Sequence, residues 1–381
     1  MDPISELLTR GVANIIPGRE ELEAALRSGK KLNIYNGIDP TSVNVHLGNA
    51  LPLRKLRALV DLGHHVTFLI GDFTALIGDT SDKDSERPVL TYEQIEANFQ
   101  TYKEQASKIL DFSRVTVRHN SEWLKALTFD EIVKLTRHFS LNDFISRELI
   151  KKRLGDGKSV SLPEVLYPVM QGYDSYYMDT DLQVGGTDQT FNMQAGRTLQ
   201  KDLRHKDSYV LSTVFLEGTD GRKMSKTWNN AIWLTDKPEE MFGKVMSLKD
   251  DLINRYFLLA TNLPQDQIPQ DGHPMDLKKK LAWQIVSELH DPQAADSARE
   301  YFEKTVQDRD TVATGQIQLP PHTSVIEALV TAGFAASKSD ARRLIDQGGV
   351  KINGQTVSDY KLEVHEGILS VGSRKFINIQ S

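Results

Sequence analysis

The 381-residue sequence contains no cysteine. Disulfides, thiolate metal sites and a cysteine nucleophile are therefore excluded. It also lacks any apolar run near the roughly 20 residues that a membrane-spanning helix needs. The opening residues MDPISELLTR carry charge throughout and have no apolar stretch, unlike a signal peptide. A cytoplasmic protein without a membrane partner is the expectation. An excess of basic charge is missing too, since the formal net charge is −6. Charge must then cluster locally if nucleic acid is a partner. Residues 321–381 hold seven Lys/Arg and six Asp/Glu, a net +1 against −7 for the remainder. Even that segment is no basic patch by composition. Internal repeats and low-complexity tracts are absent as well. What remains is 39% hydrophobic and 26% charged, a globular composition. The length calls for two or three domains.

The first part alternates strand and helix signals. LNIYNGI (32–38) and HVTFLIG (65–71) are apolar runs stopped by glycine, and HLGNALPLRKLRALVDL (46–62) has helical spacing of Leu and Val. Residues 92–111 read as a helix, VTVRHN (115–120) as a short strand, most of 121–152 as helix, and QVGGTDQ (183–189) as strand into turn. Such alternation predicts an α/β fold with an open, parallel, Rossmann-like sheet, whose ligands sit beyond the carboxyl ends of the strands. Segments 237–264 and 274–291 read as all-helical. TVATGQIQLPPHT (311–323) reads as a linker. Beyond it two short helices precede VKINGQTV, whose Asn353-Gly354 is a strong hairpin signal. ILSVGSRKFINI supplies two further strands, making a small α+β unit.

Four segments carry chemistry. In DPTSVNVHLGN (39–49), Thr41 and His46 lie near a helix start, where free N–H groups and the helix dipole favour phosphate. Taken alone, an ordinary strand–helix turn reads equally well. GRKMSKT (221–227) combines a glycine turn, two lysines three apart and hydroxyl residues. Such a loop can neutralise a leaving pyrophosphate, although basic surface loops are common. No GxxxxGK[ST] pattern is present. GDTSDKDSER (78–87) offers Asp79 to an ammonium group and Lys83 and Arg87 to phosphate, beside the plainer reading of a solvated loop. Finally, Tyr167, Gln171 and Asp174 recur at i, i+4 and i+7, a polar stripe among residues expected to be buried. Buried polar groups need partners. In LQVGGTDQ (182–189), Gly185 and Gly186 allow close backbone approach to a ligand, with Asp188 and Gln189 next to them.

Together these segments resemble a known family. DPT…HLGN is similar to the class I aminoacyl-tRNA synthetase signature usually written HIGH, and KMSKT to its partner KMSKS. YNGIDPT, IGD, YPVMQGYD and GGTDQ, in this order, resemble the tyrosyl enzymes of that class. The resemblance runs over nearly the whole chain. It implies a Rossmann-like catalytic domain (1–234) with an insertion at about 88–160, a helical anticodon-stem domain (235–314) and a small α+β RNA-binding domain (315–381). It implies that Tyr35 and Asp174 hold the phenol of L-tyrosine, that Asp79, Tyr167 and Gln171 bind its ammonium group, and that Gln189 lies near the carboxylate. Gly37, Asp39, Gly186 and Asp188 would line the adenosine and ribose site of ATP. Thr41 and His46 would stabilise the transition state at the α-phosphate, while Lys83, Arg87, Lys223, Lys226 and Thr227 grip pyrophosphate. Asn49 stands where the signature has its last histidine, leaving a hydrogen-bond donor to purine or ribose but no charge. Asn36 is assigned a ribose contact only. Mg²⁺ is expected on the ATP phosphates, with no dedicated protein site.

The chemistry agrees with that likeness. Activation of a carboxylate is displacement at the α-phosphate and runs on positioning and charge stabilisation. A buried Tyr35–Asp174 pair would be left unsatisfied by phenylalanine. Tyrosine-specific synthetases reject phenylalanine about 10⁵-fold, a value taken from that family. On the tRNA side, SKSDARRLIDQGGVKINGQ resembles an RNA-binding module shared with a ribosomal protein, which gives Lys338, Arg342, Arg343 and Lys351 a phosphate-binding role. Lys151, Lys152 and Arg153 form a second basic cluster, read as an acceptor-stem contact. The resemblance also implies a homodimer formed through the inserted region, although Phe139, Leu141, Phe144, Ile145 and Leu149 there can equally pack within one chain. Three other readings compete. A tryptophanyl enzyme would not need the Tyr35/Asp174 pair. A nucleotidyltransferase would not need GGTDQ or the RNA-binding tail. A non-catalytic RNA-binding derivative would be expected to lose His46, Lys223 or Lys226.

Overall fold

The computed structural model describes residues 2–41, 43–77, 90–224, 228–307, 316–372 and 375–380. Two compact units emerge, Met1–Ala295 and Asp296–Ser381.

The first unit is built on six strands: β1 (Val12–Ile16), β2 (Asn33–Ile38), β3 (His65–Ile70), β4 (Thr116–His119), β5 (Leu182–Gly186) and β6 (Tyr209–Thr213). Their order is β1-β6-β5-β2-β3-β4. All pairs are parallel except β1 with β6. Ile34, Phe68, Leu69, Ile70, Leu182, Val184, Val210 and Leu211 are buried, the two-sided burial that a parallel sheet between helices requires.

The chain reverses its winding between β2 and β5. These strands stay in register only at Ile34↔Leu182 and Tyr35↔Gln183, then part. Asn36 Nδ2 donates to the Val184 carbonyl across the opening at 2.8 Å. Asn36 is buried and ties the two strands while also lining the cavity described below. Behind the opening, helices Leu162–Tyr177 and Thr190–Arg204 pack face to face. A methyl group at Gly196 would meet Ser175 and the Gln183 amide at 2.7 Å, so only glycine permits that approach.

The sequence reading separates the helices after residue 235 from the sheet. In the structure Pro238–Met246, Ile253–Ala260 and Pro274–Leu289 belong to the first unit. The reason is two half-buried arginine clamps. Arg10 donates to the carbonyls of Leu258 (2.6 Å), Leu263 (2.7 Å) and Thr261 (2.8 Å). Arg54 donates to the Ala260 carbonyl at 2.7 Å and pairs with Glu288 at 3.2 Å. Each bond to a charged donor contributes about 1.5–3 kcal/mol.

The span 88–160 is likewise less separate than expected, because β4 lies within it and pairs with β3. Phe139 and Phe144 turn inward, packing with Leu135, Val165, Val169 and Leu199. Leu141 stays outside, 62% exposed, together with Phe129 (82%) and Leu162 (68%). Arg153 also contradicts its assignment. It is 4% exposed, pairs with buried Glu164 at 2.7 Å and donates to the Ser159 carbonyl at 2.6 Å. Arg153 is therefore a structural residue and not an acceptor-stem contact; Lys151 and Lys152 remain on the surface.

In the second unit, β7 (Gln316–Gln318), β8 (Val350–Ile352), β9 (Gln355–Thr356), β10 (Gly367–Val371) and β11 (Lys375–Gln380) form a sheet ordered β7-β11-β10-β8-β9. β7 falls inside the segment read as linker. Asn353 and Gly354 both have positive φ, +49° and +81°, the hairpin geometry foreseen. Val325, Ala328, Leu329, Ala341, Ile345, Val350 and Leu369 make the core. Lys338 pairs with Glu327 at 2.9 Å and Arg343 with Asp340 at 2.6 Å, while Arg342 and Lys351 are exposed.

Candidate active site

A cavity of about 660 Å³ opens at the carboxyl ends of β2 and β5. Its walls include Tyr35, Gly37, Asp39, Thr41, His46, Asn49, Tyr167, Gln171, Asp174, Gly186, Asp188, Gln189 and Lys223. Residues spread over nearly 190 positions of sequence thus meet at the switch point, where open α/β sheets bind ligands. Asp79, Lys83, Arg87, Lys226 and Thr227 lie outside the described residues.

One end of the cavity is sealed and hydrogen-bonded. Tyr35 and Asp174 are each 3% exposed. They are not bonded to one another. The Tyr35 hydroxyl donates to Gln183 Oε1 at 3.1 Å, and Gln183 Nε2 donates to the Met193 carbonyl at 2.8 Å. Asp174 accepts from Trp123 Nε1 at 2.7 Å and from Asn120 Nδ2 at 3.2 Å. Burial pushes the Asp174 carboxyl up to about 8, against the pull of those two donors. Burial and the neighbouring Asp174 charge also raise the Tyr35 hydroxyl. Two polar groups are thereby held ready for a third, on a phenol-sized ligand.

Sequence reasoning missed Trp123, Asn120 and Gln183. Asn120 follows β4 directly, at the strand end where polar residues collect, and that rule was the available signal. Asn120 is 1% exposed and reaches in three directions. Its Oδ1 accepts from the Phe73 N–H at 3.0 Å, and its Nδ2 donates to Thr74 Oγ1 (3.0 Å) as well as to Asp174. Thr74 donates to Asp39 Oδ1 at 2.8 Å, and Tyr167 donates to Asp39 Oδ2 at 2.9 Å. A continuous network, buried at Asp174 and half-buried at Asp39, therefore joins the two along one wall.

The other end is open and cationic. His46 sits before helix Ala50–Asp61 in an isolated bridge with Trp233. Its Nδ1 accepts the Asn49 N–H at 3.3 Å, and its own N–H donates to Asn49 Oδ1 at 3.2 Å. Burial first, then the Lys223 charge, lower the imidazole to about 4. It is neutral at pH 7, and with Nδ1 accepting, the proton lies on Nε2. His46 can then donate a hydrogen bond from Nε2. Asn49 is thus tied to His46 twice: its side-chain oxygen accepts the His46 backbone N–H, and its own backbone N–H orients the imidazole. Lys223 is exposed, its ammonium 5.0 Å from the Phe215 ring centroid. The arrangement provides donors and a cation facing a cavity whose roughly 660 Å³ holds a nucleotide beside a small aromatic ligand. Among the described residues, no group of three His, Asp or Glu is placed to hold a metal ion, and no helix is long and apolar enough to cross a membrane.

Comparison with known proteins adds to this geometry. Residues 27–307 match the family model described as tRNA synthetases class I (W and Y), and residues 327–367 match the S4 domain. The chain is 40% identical to the tyrosine–tRNA ligase of Thermotoga maritima, over 98% of this chain and 96% of that one. It is 42% identical to the tyrosine–tRNA ligase of Burkholderia thailandensis, over 97% and 93%. Among solved structures, a C-terminally truncated mitochondrial tyrosyl-tRNA synthetase from Aspergillus nidulans aligns with a TM-score of 0.65 at 24% identity, covering 79% of this chain and 93% of that one.

Proposed function

The chain belongs to the class I tRNA synthetases of the tryptophan and tyrosine group, and from that premise we infer that it ligates L-tyrosine to tRNA. The observation that carries the reading is one cavity with a buried phenol-sized end and a cationic end. Tyrosine and ATP would bind side by side, yielding tyrosyl-adenylate and pyrophosphate. The tyrosine would then pass to the 3′ end of tRNA(Tyr).

At the phenol end, Tyr35 and Asp174 bond the substrate hydroxyl, with Trp123 and Asn120 orienting the carboxyl. Tyr167 and Gln171 face the ammonium group with Asp79. Gln189 takes the carboxylate side, and Gly37, Asp39, Gly186 and Asp188 line the nucleotide. The neutral His46 donates from Nε2 to phosphate oxygen as charge develops, joined by Thr41 and by Lys223 with the other loop cations. Donors aimed at developing charge lower the barrier without a nucleophile or base. Mg²⁺ enters on the ATP phosphates. The S4 region supplies Arg342 and Lys351, with Lys338 and Arg343, to the tRNA backbone, and Lys151 and Lys152 face the acceptor stem. The exposed apolar side chains Phe129, Leu141 and Leu162 support association with a second copy of the chain, which sedimentation of Leu162→Asp would test.

Amino-acid-dependent exchange of pyrophosphate into ATP, run with all twenty amino acids and no tRNA, tests the activation step. Exchange with tyrosine alone is expected. Exchange with tryptophan would overturn the assignment of the phenol end.

A further inference from the structure

The segment after the lysine loop connects the two motifs that face phosphate. Residues 232–234 run antiparallel beside 45–47: Leu47 N–H donates to the Ile232 carbonyl at 3.0 Å and Leu234 N–H to the Val45 carbonyl at 2.9 Å. Between them the Trp233 ring lies 5.7 Å from the His46 ring. The Trp233 N–H donates to Asp236 Oδ2 at 2.8 Å, and the other oxygen of Asp236 holds Lys244 at 2.7 Å. This end of the segment is thus fixed to His46 on one side and to the helix Pro238–Met246 on the other.

Its upstream end is fixed to the lysine turn by Asn230. This residue is 2% exposed and does not line the cavity. Its Nδ2 donates to Asp220 Oδ1 at 2.8 Å and to the Lys223 carbonyl at 3.1 Å. Its own carbonyl accepts the Thr219 N–H at 3.0 Å. The turn beneath closes on itself, with Gly218 N–H donating to the Arg222 carbonyl at 2.6 Å and Glu217 bridged to Lys223. A methyl group at Gly218 would meet the Asn230 side chain at 2.4 Å, so the fit has no slack. Asn230 also holds the Asp220 carboxyl well below the usual carboxylate range.

We propose that Asn230 is a positioning residue that sets Lys223 against His46, with residues 230–234 as the rigid strut between them. The proposal rests on the reading that His46 and Lys223 act on the phosphates of ATP. Asn230 acts through the Lys223 backbone. A plain turn clamp would cost stability alone; a positioning residue slows the chemical step, because a displacement near 1 Å of a catalytic group costs about 10²-fold.

The test is a mutant cycle read by the single-turnover rate of tyrosyl-adenylate formation, with tyrosine affinity measured by calorimetry. Asn230→Ala is expected to slow activation about 10- to 100-fold while tyrosine affinity stays within about twofold. In a Lys223→Ala background the same change is expected to add less than about twofold, since residues acting through one group are not additive. Multiplying effects of the two variants, or an unchanged rate in Asn230→Ala, would overturn the proposal. A wild-type rate in Lys223→Ala would instead overturn the reading beneath it. If Asn230→Ala does not fold, Asp220→Ala, which removes one of the two acceptors of Nδ2, runs the same cycle, with a smaller slowing expected that also vanishes without Lys223.

Discussion

The two ends of the cavity solve different problems with different physics. The phenol end is buried and prearranged: Tyr35, Gln183, Asp174, Trp123 and Asn120 are buried, and each has a fixed partner. Its work is rejection, because a ligand lacking the hydroxyl leaves buried polar groups unpaired. The phosphate end holds half-buried His46 and exposed Lys223. Its work is to meet charge that appears only in the transition state, for which mobile or solvated cations suffice once they are aimed. Specificity is therefore built into packed core, and rate into turns and loop bases.

Breaking the phenol end should give the largest effect. Asp174→Ala is expected to lower kcat/KM for tyrosine by about 10⁴ or more and that for phenylalanine far less, collapsing the preference in pyrophosphate exchange. Next comes the phosphate end: Lys223→Ala should reduce the activation rate by about 10²–10³-fold with tyrosine affinity unchanged in calorimetry. Equal losses of affinity in both variants would erase the distinction between the ends. Arg153→Ala separates structure from function elsewhere. It removes the ion pair to buried Glu164 and should cost about 1.5–3 kcal/mol in denaturant unfolding, the value of a hydrogen bond to a charged group, whereas Lys151→Ala with Lys152→Ala should lower tRNA charging alone.

Smaller effects sharpen the comparison. Trp123→Phe removes one donor to Asp174 and should reduce the tyrosine preference by up to about tenfold, the value of one hydrogen bond to a neutral group. The same change should raise the Asp174 pKa further, since the Trp123 donor is a lowering influence. The smallest effect is at His46. Its folded value near 4 lies below the ordinary 6.5, so the unfolded chain binds the extra proton first. The stability due to neutral His46 is present above about 6.5 and is lost as pH falls toward 4. Imidazole NMR should show a midpoint near 4 with the proton on Nε2, and Lys223→Ala should move that midpoint upward.

Much of this site was legible in the chain. Tyr167, Gln171 and Asp174 read as one helix face and do share the cavity wall. The glycine-stopped runs at 32–38 and 65–71 became β2 and β3, and Asn353-Gly354 became the hairpin turn. Other features left no local signal. β1 and β6 were not read at all, because five-residue strands at one side of the sheet carry little periodicity. Arg153 sits in a basic run with a solvated pattern, and only the fold brings Glu164 within reach. The bond from Asn36 to the Val184 carbonyl likewise had no local signal.

Sequence by itself determined which chemistry was present: the HLGN and KMSKT segments, the polar stripe and the S4-like tail are local patterns of residue type and spacing. Tertiary structure alone decided which polar groups face the ligand and which hold the scaffold. Asn120 and Gln183 on one side, Arg10, Arg54 and Arg153 on the other, are indistinguishable as letters. Their roles follow from the buried acceptors that folding places beside them, because in a dry interior each polar atom is defined by its partner.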